Sequence, residues 1–444
     1  MGGEVEVAVE RGVWATTVRP APGDRRAAER AIEYPDVGPN GEIRLPEELC
    51  HRLGLVSGSK VVIEETPRGL LLRAADPPLT KVYVEPTNSC NLSCRTCVRN
   101  SWSEPTGFLS MDSYRKLIDG LRQVPSARRI SFWGFGEPLL HPDIVEMVAM
   151  AKGLRVETQL ITNGLLLDRE TAHGLVNAGL DSLVVSIDGA SEKVYSEVRP
   201  GANLEQVRDN IGLLREVRRS SPRRNPEIGI EFVAMRSNLA ELGRVREVAR
   251  SLGASFIVIT NVLPYTEEMK DEVLYGLSAG RSVGTVRSKW WPEVSMPLID
   301  IRGDTVGPIV DLLTHSSAPS SPQLRFDTMA GYCRFVSEGS AVVAWDGEVS
   351  PCVALMHSYP CYVMGRKKQI RRFSVGNVAR ARIAEIWGSD QFVRFRDLVQ
   401  RFDFAPCSDC GGCHLAESNE EDCFGNGFPV CGDCLWAKGV IQCP

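Results

Sequence analysis

No stretch of the 444 residues approaches the roughly 18 continuous apolar residues that a membrane span needs, so no transmembrane helix is expected. The opening Met1-Gly2-Gly3-Glu4-Val5-Glu6 has neither a basic run nor an apolar core. No secretory signal is read there, and a cytoplasmic protein is expected. A strong charge of one sign is missing too. Lys and Arg number 51 against 56 Asp and Glu, a formal net charge of −5. Phosphate binding needs a cationic excess, so a bulk nucleic-acid binder is not expected. Arginines cluster locally in 215–224 and 365–372, where solvated loops explain them. Hydrophobic content of 43% and charged content of 24% are ordinary for a globular chain, and the length allows two or three domains. Cysteine is what the sequence has in excess. Fourteen are present: Cys50 alone, three between Cys90 and Cys97, and ten between Cys333 and Cys443. Without an export signal, metal ligation explains them better than disulfides.

The tightest group is Cys90-Asn91-Leu92-Ser93-Cys94-Arg95-Thr96-Cys97, which follows the strand-like Lys81-Val82-Tyr83-Val84-Glu85-Pro86. Three thiolates at this spacing can wrap one corner of a cuboidal 4Fe–4S cluster, which normally takes four cysteines, and so leave one iron open. Zinc is the alternative, although zinc pairs usually read CxxC. The CxxxCxxC run resembles the signature of the radical S-adenosylmethionine (SAM) superfamily. The resemblance implies that Cys90, Cys94 and Cys97 hold a 4Fe–4S cluster whose open iron chelates the amino and carboxylate groups of SAM. It also implies a ferredoxin- or flavodoxin-type donor that reduces the cluster. The electron then cleaves SAM to methionine and a 5′-deoxyadenosyl radical, which abstracts hydrogen from a substrate.

From Lys81 to about Pro264 strand and helix patterns alternate, as in an α/β protein with a parallel sheet. Strands are expected at Val82–Glu85, Arg129–Trp133, Val156–Ile161, Ser182–Ile187, Ile228–Val233 and Ser255–Ile259. Between the last two, Leu239, Leu242, Val245, Val248, Ala249 and Leu252 form an apolar helical stripe, with Asn238 placed to cap its start and Gly253 its end. Six such units match the partial (β/α)6, TIM-like barrel of the radical SAM superfamily, and polar residues fall just past the strands, where barrels gather their chemistry. Trp133-Gly134-Phe135-Gly136-Glu137-Pro138 resembles the family's GGE motif, with Phe135 in place of the first glycine. The resemblance implies that Gly136 and Glu137 hold the SAM amino group. It implies also that Thr162 and Asn163, then Ser186 and Asp188, reach the ribose and carboxylate of SAM, and that Arg199 pairs with that carboxylate. Read without the resemblance, Asn163-Gly164 and Asp188-Gly189 are ordinary turn signals.

The cysteine-rich end opens with Cys333, thirteen residues, Gly347, four residues and Cys352, with a hairpin turning at Asp346-Gly347. This resembles the opening of the SPASM domain, an appendage of radical SAM maturases that carries two auxiliary 4Fe–4S clusters. The order that follows, Cys407, Cys410, Cys413, Cys423, Cys431, Cys434 and Cys443, departs from the family's spacing. All nine are candidate ligands with their partners open. The two CxxC pairs Cys407/Cys410 and Cys431/Cys434 also suit a zinc ribbon, a reading that leaves Cys413, Cys423, Cys443, Cys333 and Cys352 idle.

Five regions are therefore expected: an extension over 1–36, a small β-rich domain over 37–76, the barrel over 80–265, a bridge over 266–326 and the iron–sulfur domain over 327–444. The second resembles the AbrB-like swapped hairpin. Its balanced charge favours a homodimer or docking role over DNA binding. In the bridge, Trp290-Trp291-Pro292 reads as a buried aromatic plug or a substrate-stacking pair. Residues 90–102, Thr260 to Thr266, Glu420 to Asn426 and Cys434 to Ala437 together resemble the radical SAM proteins linked to tungsten-containing aldehyde ferredoxin oxidoreductases as cofactor-modifying maturases. Such a maturase, with a tungsten oxidoreductase or its tungstopterin as client, is the leading expectation. A maturase of a precursor peptide is the second. A non-enzymatic redox-sensing regulator built on the AbrB-like segment is the third.

Overall fold

The computed structural model describes residues 77–276, 292–314 and 333–443, apart from 223, 409, 411 and 412, together with a few short strands outside those spans. The AbrB-like segment and the Trp290-Trp291 pair lie outside the described residues, beyond the backbone pairing of Val61–Thr66 with Gly69–Ala74. Among the described residues no helix is long and apolar enough to cross a membrane.

The protein has a mixed α/β fold around a parallel sheet. The strands β1 (Lys81–Val84), β2 (Arg129–Phe132), β3 (Glu157–Thr162), β4 (Ser182–Ser186), β5 (Glu227–Ala234) and β6 (Phe256–Asn261) lie side by side in chain order, every pair parallel. Each stands within about two residues of where the sequence pattern puts it. The stretch expected to bridge the domains adds β7 (Glu293–Met296), parallel to β6. At the other edge β8 (Ser340–Val343) pairs in parallel with β1, and β9 (Glu348–Ser350) folds back on it. The cysteine-rich end is thus continuous with the sheet.

Strand alternation sorts the two faces. Val82, Val84, Ile130, Phe132, Leu160, Leu183, Val185, Ile228, Ile230, Ile257 and Ile259 all join the main apolar core. The helices α1 (Met111–Leu121), α2 (Ile144–Lys152), α3 (Arg169–Ala178), α4 (Glu192–Val198) and α5 (Leu204–Arg219) feed the same core through Leu117, Met147, Leu175, Tyr195 and Ile211. The opposite face carries Lys81, Tyr83, Ser131, Gln159, Ser186 and Glu231, set side by side by the strand register. A buried face this polar is not built for packing alone.

Local signals explain the crossovers. The carboxylate of Asp168 accepts from Thr171 N at 2.8 Å to cap α3, which Gly179 ends at φ +86°, a left-handed conformation costly for any other residue. The stripe from Leu239 to Leu252 is not one α-helix. A 3-10 stretch, Arg236–Arg244, precedes α6 (Val245–Leu252). Asn238 caps the start of the 3-10 stretch rather than α6, its Oδ1 accepting from Met235 N at 2.8 Å. It is buried, and its Nδ2 donates to Asp188 O at 3.0 Å and Val233 O at 2.9 Å, which draws this turn onto the ends of β4 and β5. Gly253 closes α6 as expected, at φ +69°.

Candidate active site and cysteine centres

The candidate groups from Cys90 to Asp188 follow the C-terminal ends of parallel strands, the place where such sheets open a crevice, and Arg199 follows α4. The cysteine loop leaves β1 through Glu85-Pro86-Thr87-Asn88 and is stitched shut at its base. Asn88 Oδ1 accepts from Gly107 N at 2.8 Å, Asn88 Nδ2 donates to Pro105 O at 2.9 Å, and Thr87 Oγ1 donates to Gly107 O at 2.5 Å. Inside the loop Cys97 N donates to Cys94 O at 3.1 Å, and Arg99 reaches back to Leu92 O at 2.7 Å. Tyr265, past β6, donates its hydroxyl to Arg95 O at 3.0 Å. An irregular loop with its backbone polar groups so well satisfied is fixed in place.

The three thiols meet different neighbours. Cys90 Sγ accepts from Leu92 N at 3.4 Å, Cys94 Sγ lies 3.7 Å from Arg199 Nη1, and Cys97 Sγ lies 3.9 Å from Phe135 O. Burial raises all three thiols, Cys97 to about 11. Such thiols stay protonated until a bound cation draws them to the thiolate. No disulfide joins them. Among the described residues no three His, Cys, Asp or Glu side chains are gathered as one metal ion requires. Ligands of a cuboidal cluster bind separate irons and stand farther apart than those of a single zinc. Three free thiols, Cys94 buried and Cys90 and Cys97 half-buried, on a pinned loop fit such a cluster.

One side of the crevice is built on Glu137. Its Oε1 accepts from Thr162 Oγ1 at 2.7 Å and Leu139 N at 3.0 Å, and its Oε2 from Asn163 N at 2.8 Å. Burial raises this carboxyl, although the three donors work against that shift. Asn163 Nδ2 then donates to Asn91 Oδ1 at 2.8 Å, beside Cys90. Gly136 is a forced choice: a Cβ there would sit 2.1 Å from Thr87 O and 2.6 Å from Ser89 O. The structure therefore brings Gly136, Glu137, Thr162 and Asn163 together against the cysteine loop.

The other side holds Asp188 and Arg199, paired at 2.8 Å and almost wholly buried. Burial works against the Arg199 charge, but Asp188 outweighs it and holds the guanidinium firmly protonated. Arg199 Nε is buried with no hydrogen-bond partner. That orphaned donor, beside Cys94, is what an anionic group of a small ligand would satisfy. Ser186 stands opposite Glu231 in the strand register. Burial, then the Asp188 charge, pushes the Glu231 carboxyl up to about 7. Glu231 is a buried acid on the polar face that pattern reading passed over, because an isolated Glu in a strand carries no motif.

The C-terminal cysteines fall into groups. Cys333, Cys352, Cys431 and Cys434 lie within electrostatic reach of one another, Cys352 buried and the other three half-buried, and burial raises all four thiols, Cys333 to about 12. Cys407 has Cys410 and Cys423 as neighbours, with Cys413 three residues on; of these only Cys407 is buried. Cys443 keeps other company. Its strongest charged neighbours are Glu231, Lys81 and Arg334, and burial lifts it to about 12. The tail that carries it is tied to the sheet, since Gln442 N donates to Thr260 Oγ1 at 2.9 Å and Asn261 Nδ2 to Val440 O at 2.8 Å. Cys361 is packed among Tyr359, Val363, Leu435 and Val440 as a core residue.

Residues 84–222 match the radical SAM superfamily, and residues 333–414 match SPASM, an iron–sulfur cluster-binding domain. The chain is 28% identical over 370 residues to a tungsten-containing aldehyde ferredoxin oxidoreductase cofactor-modifying protein of Pyrococcus furiosus, covering 82% of this chain and 96% of that one. It is 26% identical over 387 residues to an AdoMet-dependent heme synthase of Oleidesulfovibrio alaskensis, covering 84% and 86%. Two solved structures share the fold at a TM-score of 0.50. Streptococcus suis SuiB bound to S-adenosylmethionine is 16% identical, covering 77% of this chain and 74% of that one. The anSMEcpe protein with bound AdoMet is 18% identical, covering 77% and 92%. With a cysteine loop past its first parallel strand, a radical SAM domain over 84–222 and a SPASM domain behind it, the chain is a radical S-adenosylmethionine enzyme.

Proposed function

We propose that this enzyme is a maturase that acts on a tungsten-containing aldehyde ferredoxin oxidoreductase or on its tungstopterin. The observation that carries the reading is the extent of the likeness to the Pyrococcus furiosus cofactor-modifying protein, which covers 82% of this chain and 96% of that one. Cys90, Cys94 and Cys97 are assigned to the SAM cluster. When loaded, that cluster supplies the electron that splits the SAM sulfonium into methionine and a 5′-deoxyadenosyl radical.

The protein's own residues do the positioning. Gly136 and Glu137 offer a backbone edge and a buried carboxylate for the SAM amino group, and Thr162 and Asn163 hold that carboxylate in place. Arg199, kept cationic by Asp188, is assigned to the SAM carboxylate, with Ser186 beside it on the polar face. Glu231 is suited to hold a proton near neutral pH for a substrate at the mouth of the sheet. For the auxiliary clusters we assign Cys333, Cys352, Cys431 and Cys434 to one, and Cys407, Cys410, Cys413 and Cys423 to the other. Eight ligands suffice for two 4Fe–4S clusters, and Cys443 stands apart from both groups. The second group is the more exposed, which suits it to take electrons from a ferredoxin- or flavodoxin-type donor.

The test is to reconstitute the enzyme anaerobically and supply SAM, a reductant and the tungsten oxidoreductase in its inactive form. Formation of 5′-deoxyadenosine should rise with the client present, and the client should gain activity. Stimulation by a precursor peptide and none by the oxidoreductase would replace this reading with a peptide maturase.

A further inference from the structure

Far from the cysteines in sequence, His357 lies wholly buried between two carboxylates. Its Nε2 stands 2.9 Å from Glu85 Oε2, and its Nδ1 stands 2.6 Å from Glu104 Oε2. Ionised carboxylates only accept hydrogen bonds, so both ring nitrogens must carry hydrogen and the ring is an imidazolium. The Trp102 ring covers it at 4.3 Å between centroids, and Phe135 meets it edge-on at 5.8 Å. An aromatic face over a buried cation adds attraction.

The three charged groups come from three parts of the chain that do different jobs. Glu85 ends β1, Glu104 follows the cysteine loop, and His357 belongs to the C-terminal cysteine domain. Glu104 also accepts from Ser358 N at 2.9 Å, so it grips two successive residues of that domain. Glu85 reaches the other way. Its Oε1 accepts from Phe135 N at 3.0 Å, in the loop that runs on to Gly136 and Glu137. That loop is held at alternate amides: Trp133 N to Val84 O at 2.9 Å, Phe135 N to Glu85, and Glu137 N to Ser89 O at 2.8 Å. The middle restraint is the only side chain of the three. Gly134 makes room for it, since a Cβ there would lie 2.3 Å from Glu85 Cγ. Phe135, where the superfamily pattern has glycine, supplies part of the ring cage.

We propose that His357 is a positioning residue for SAM: clasped as an imidazolium between Glu85 and Glu104, it holds the Gly134–Glu137 loop in its binding shape from the C-terminal domain. The inference rests on the assignment of Gly136 and Glu137 to SAM. Without its cation, Glu85 is a buried carboxylate with no counter-charge, and it is favoured to rotate away from Phe135. That rotation frees the middle of the loop.

The test uses the full chain, anaerobically reconstituted, as wild type, His357→Gln and Glu104→Gln. Iron content and cluster absorbance report loading and folding. SAM affinity is read by equilibrium dialysis, and hydrogen exchange at the Phe135 amide reads the restraint without SAM. His357→Gln should load iron like the wild type, weaken SAM binding about tenfold, the worth of one charge-assisted hydrogen bond, and speed Phe135 exchange, with the cleavage rate at saturating SAM little changed. Glu104→Gln, at the outer and partly exposed partner, should move both in the same direction by less; it decides the matter if His357→Gln does not load. Iron-replete variants with wild-type affinity and wild-type exchange overturn the proposal. A wild type that binds no SAM overturns the site assignment instead, and the exchange arm still decides whether His357 holds the loop.

Discussion

Arg199 touches Cys94 with one nitrogen and Asp188 with another, at 3.7 Å to Sγ and 2.8 Å to Oδ2. A buried guanidinium therefore joins the cysteine loop to the segment just past β4, where Thr96 of the loop also hydrogen-bonds Asp188. Removing the guanidinium leaves Asp188, with no exposed surface, without a counter-charge. Arg199→Ala should cost about 3–5 kcal/mol, the usual penalty for breaking one partner out of a buried pair. Adding Asp188→Asn should recover part of that loss. Anaerobic urea denaturation of the single and double variants measures it, and a single variant within about 1 kcal/mol of wild type would mean that the pair is not structural.

Iron content tests the ligand sets. Three 4Fe–4S clusters hold about twelve irons per chain. The triple variant Cys90→Ala, Cys94→Ala, Cys97→Ala should lose about four and form no 5′-deoxyadenosine, with the auxiliary absorbance intact. Cys434→Ala should also lose iron, whereas Cys443→Ala should keep the full complement. A wild type with about four irons and one zinc would restore the ribbon reading.

Much of this was legible in the sequence, and the exceptions have a common cause. Strand positions are written in local alternation, and the strands from β1 to β6 appear within a residue or two of expectation. Cys90, Glu137 and Asn163 announce themselves through motifs placed directly after strands. Asn238 does two jobs with one side chain, a cap on Met235 N that the sequence foretells and a buried cross-link to the strand ends that it does not. Glu85, Glu104, Glu231 and His357 carry no local signal at all. Each takes its meaning from a partner brought near by the sheet, as with the 272 residues between Glu85 and His357. The grouping of the C-terminal cysteines is likewise a fact of the fold, since Cys333 and Cys434 are brought together across a hundred residues.

Two glycines should respond in opposite ways. At Gly136 an added Cβ meets backbone oxygens that cannot yield, so Gly136→Ala should lower both stability and SAM affinity. At Gly212, exposed within α5, an added Cβ meets nothing within 4 Å. Gly212→Ala should stabilise the chain by about 1 kcal/mol through helix propensity alone, with SAM cleavage unchanged. Denaturation midpoints and SAM titrations of the two variants check the contrast.

The buried imidazolium also fixes a dependence on pH. Burial works against the charge on His357, but Glu85 and the hydrogen bonds to Glu104 and Glu85 outweigh it and raise its pKa from 6.5 to about 9. The Glu104 carboxyl moves the opposite way: burial opposes the shift, and its bonds to His357 and Ser358 carry it below the usual range. The other charges nearby, Arg372 and Asp346, pair with each other through two bonds of 2.6 and 2.7 Å. A histidine whose pKa is higher folded than unfolded binds its proton more tightly in the native state. Its contribution is therefore complete below about 6.5 and is lost as pH rises toward about 9. For a shift of this size the contribution is on the order of 3 kcal/mol. Stability of the wild type should fall across that window, with SAM affinity falling alongside it. His357→Gln, which has no proton to lose, should show a flatter profile from a lower starting point. Denaturation at intervals between pH 6 and 10 separates the two curves, and parallel curves for both proteins would mean that His357 does not titrate there.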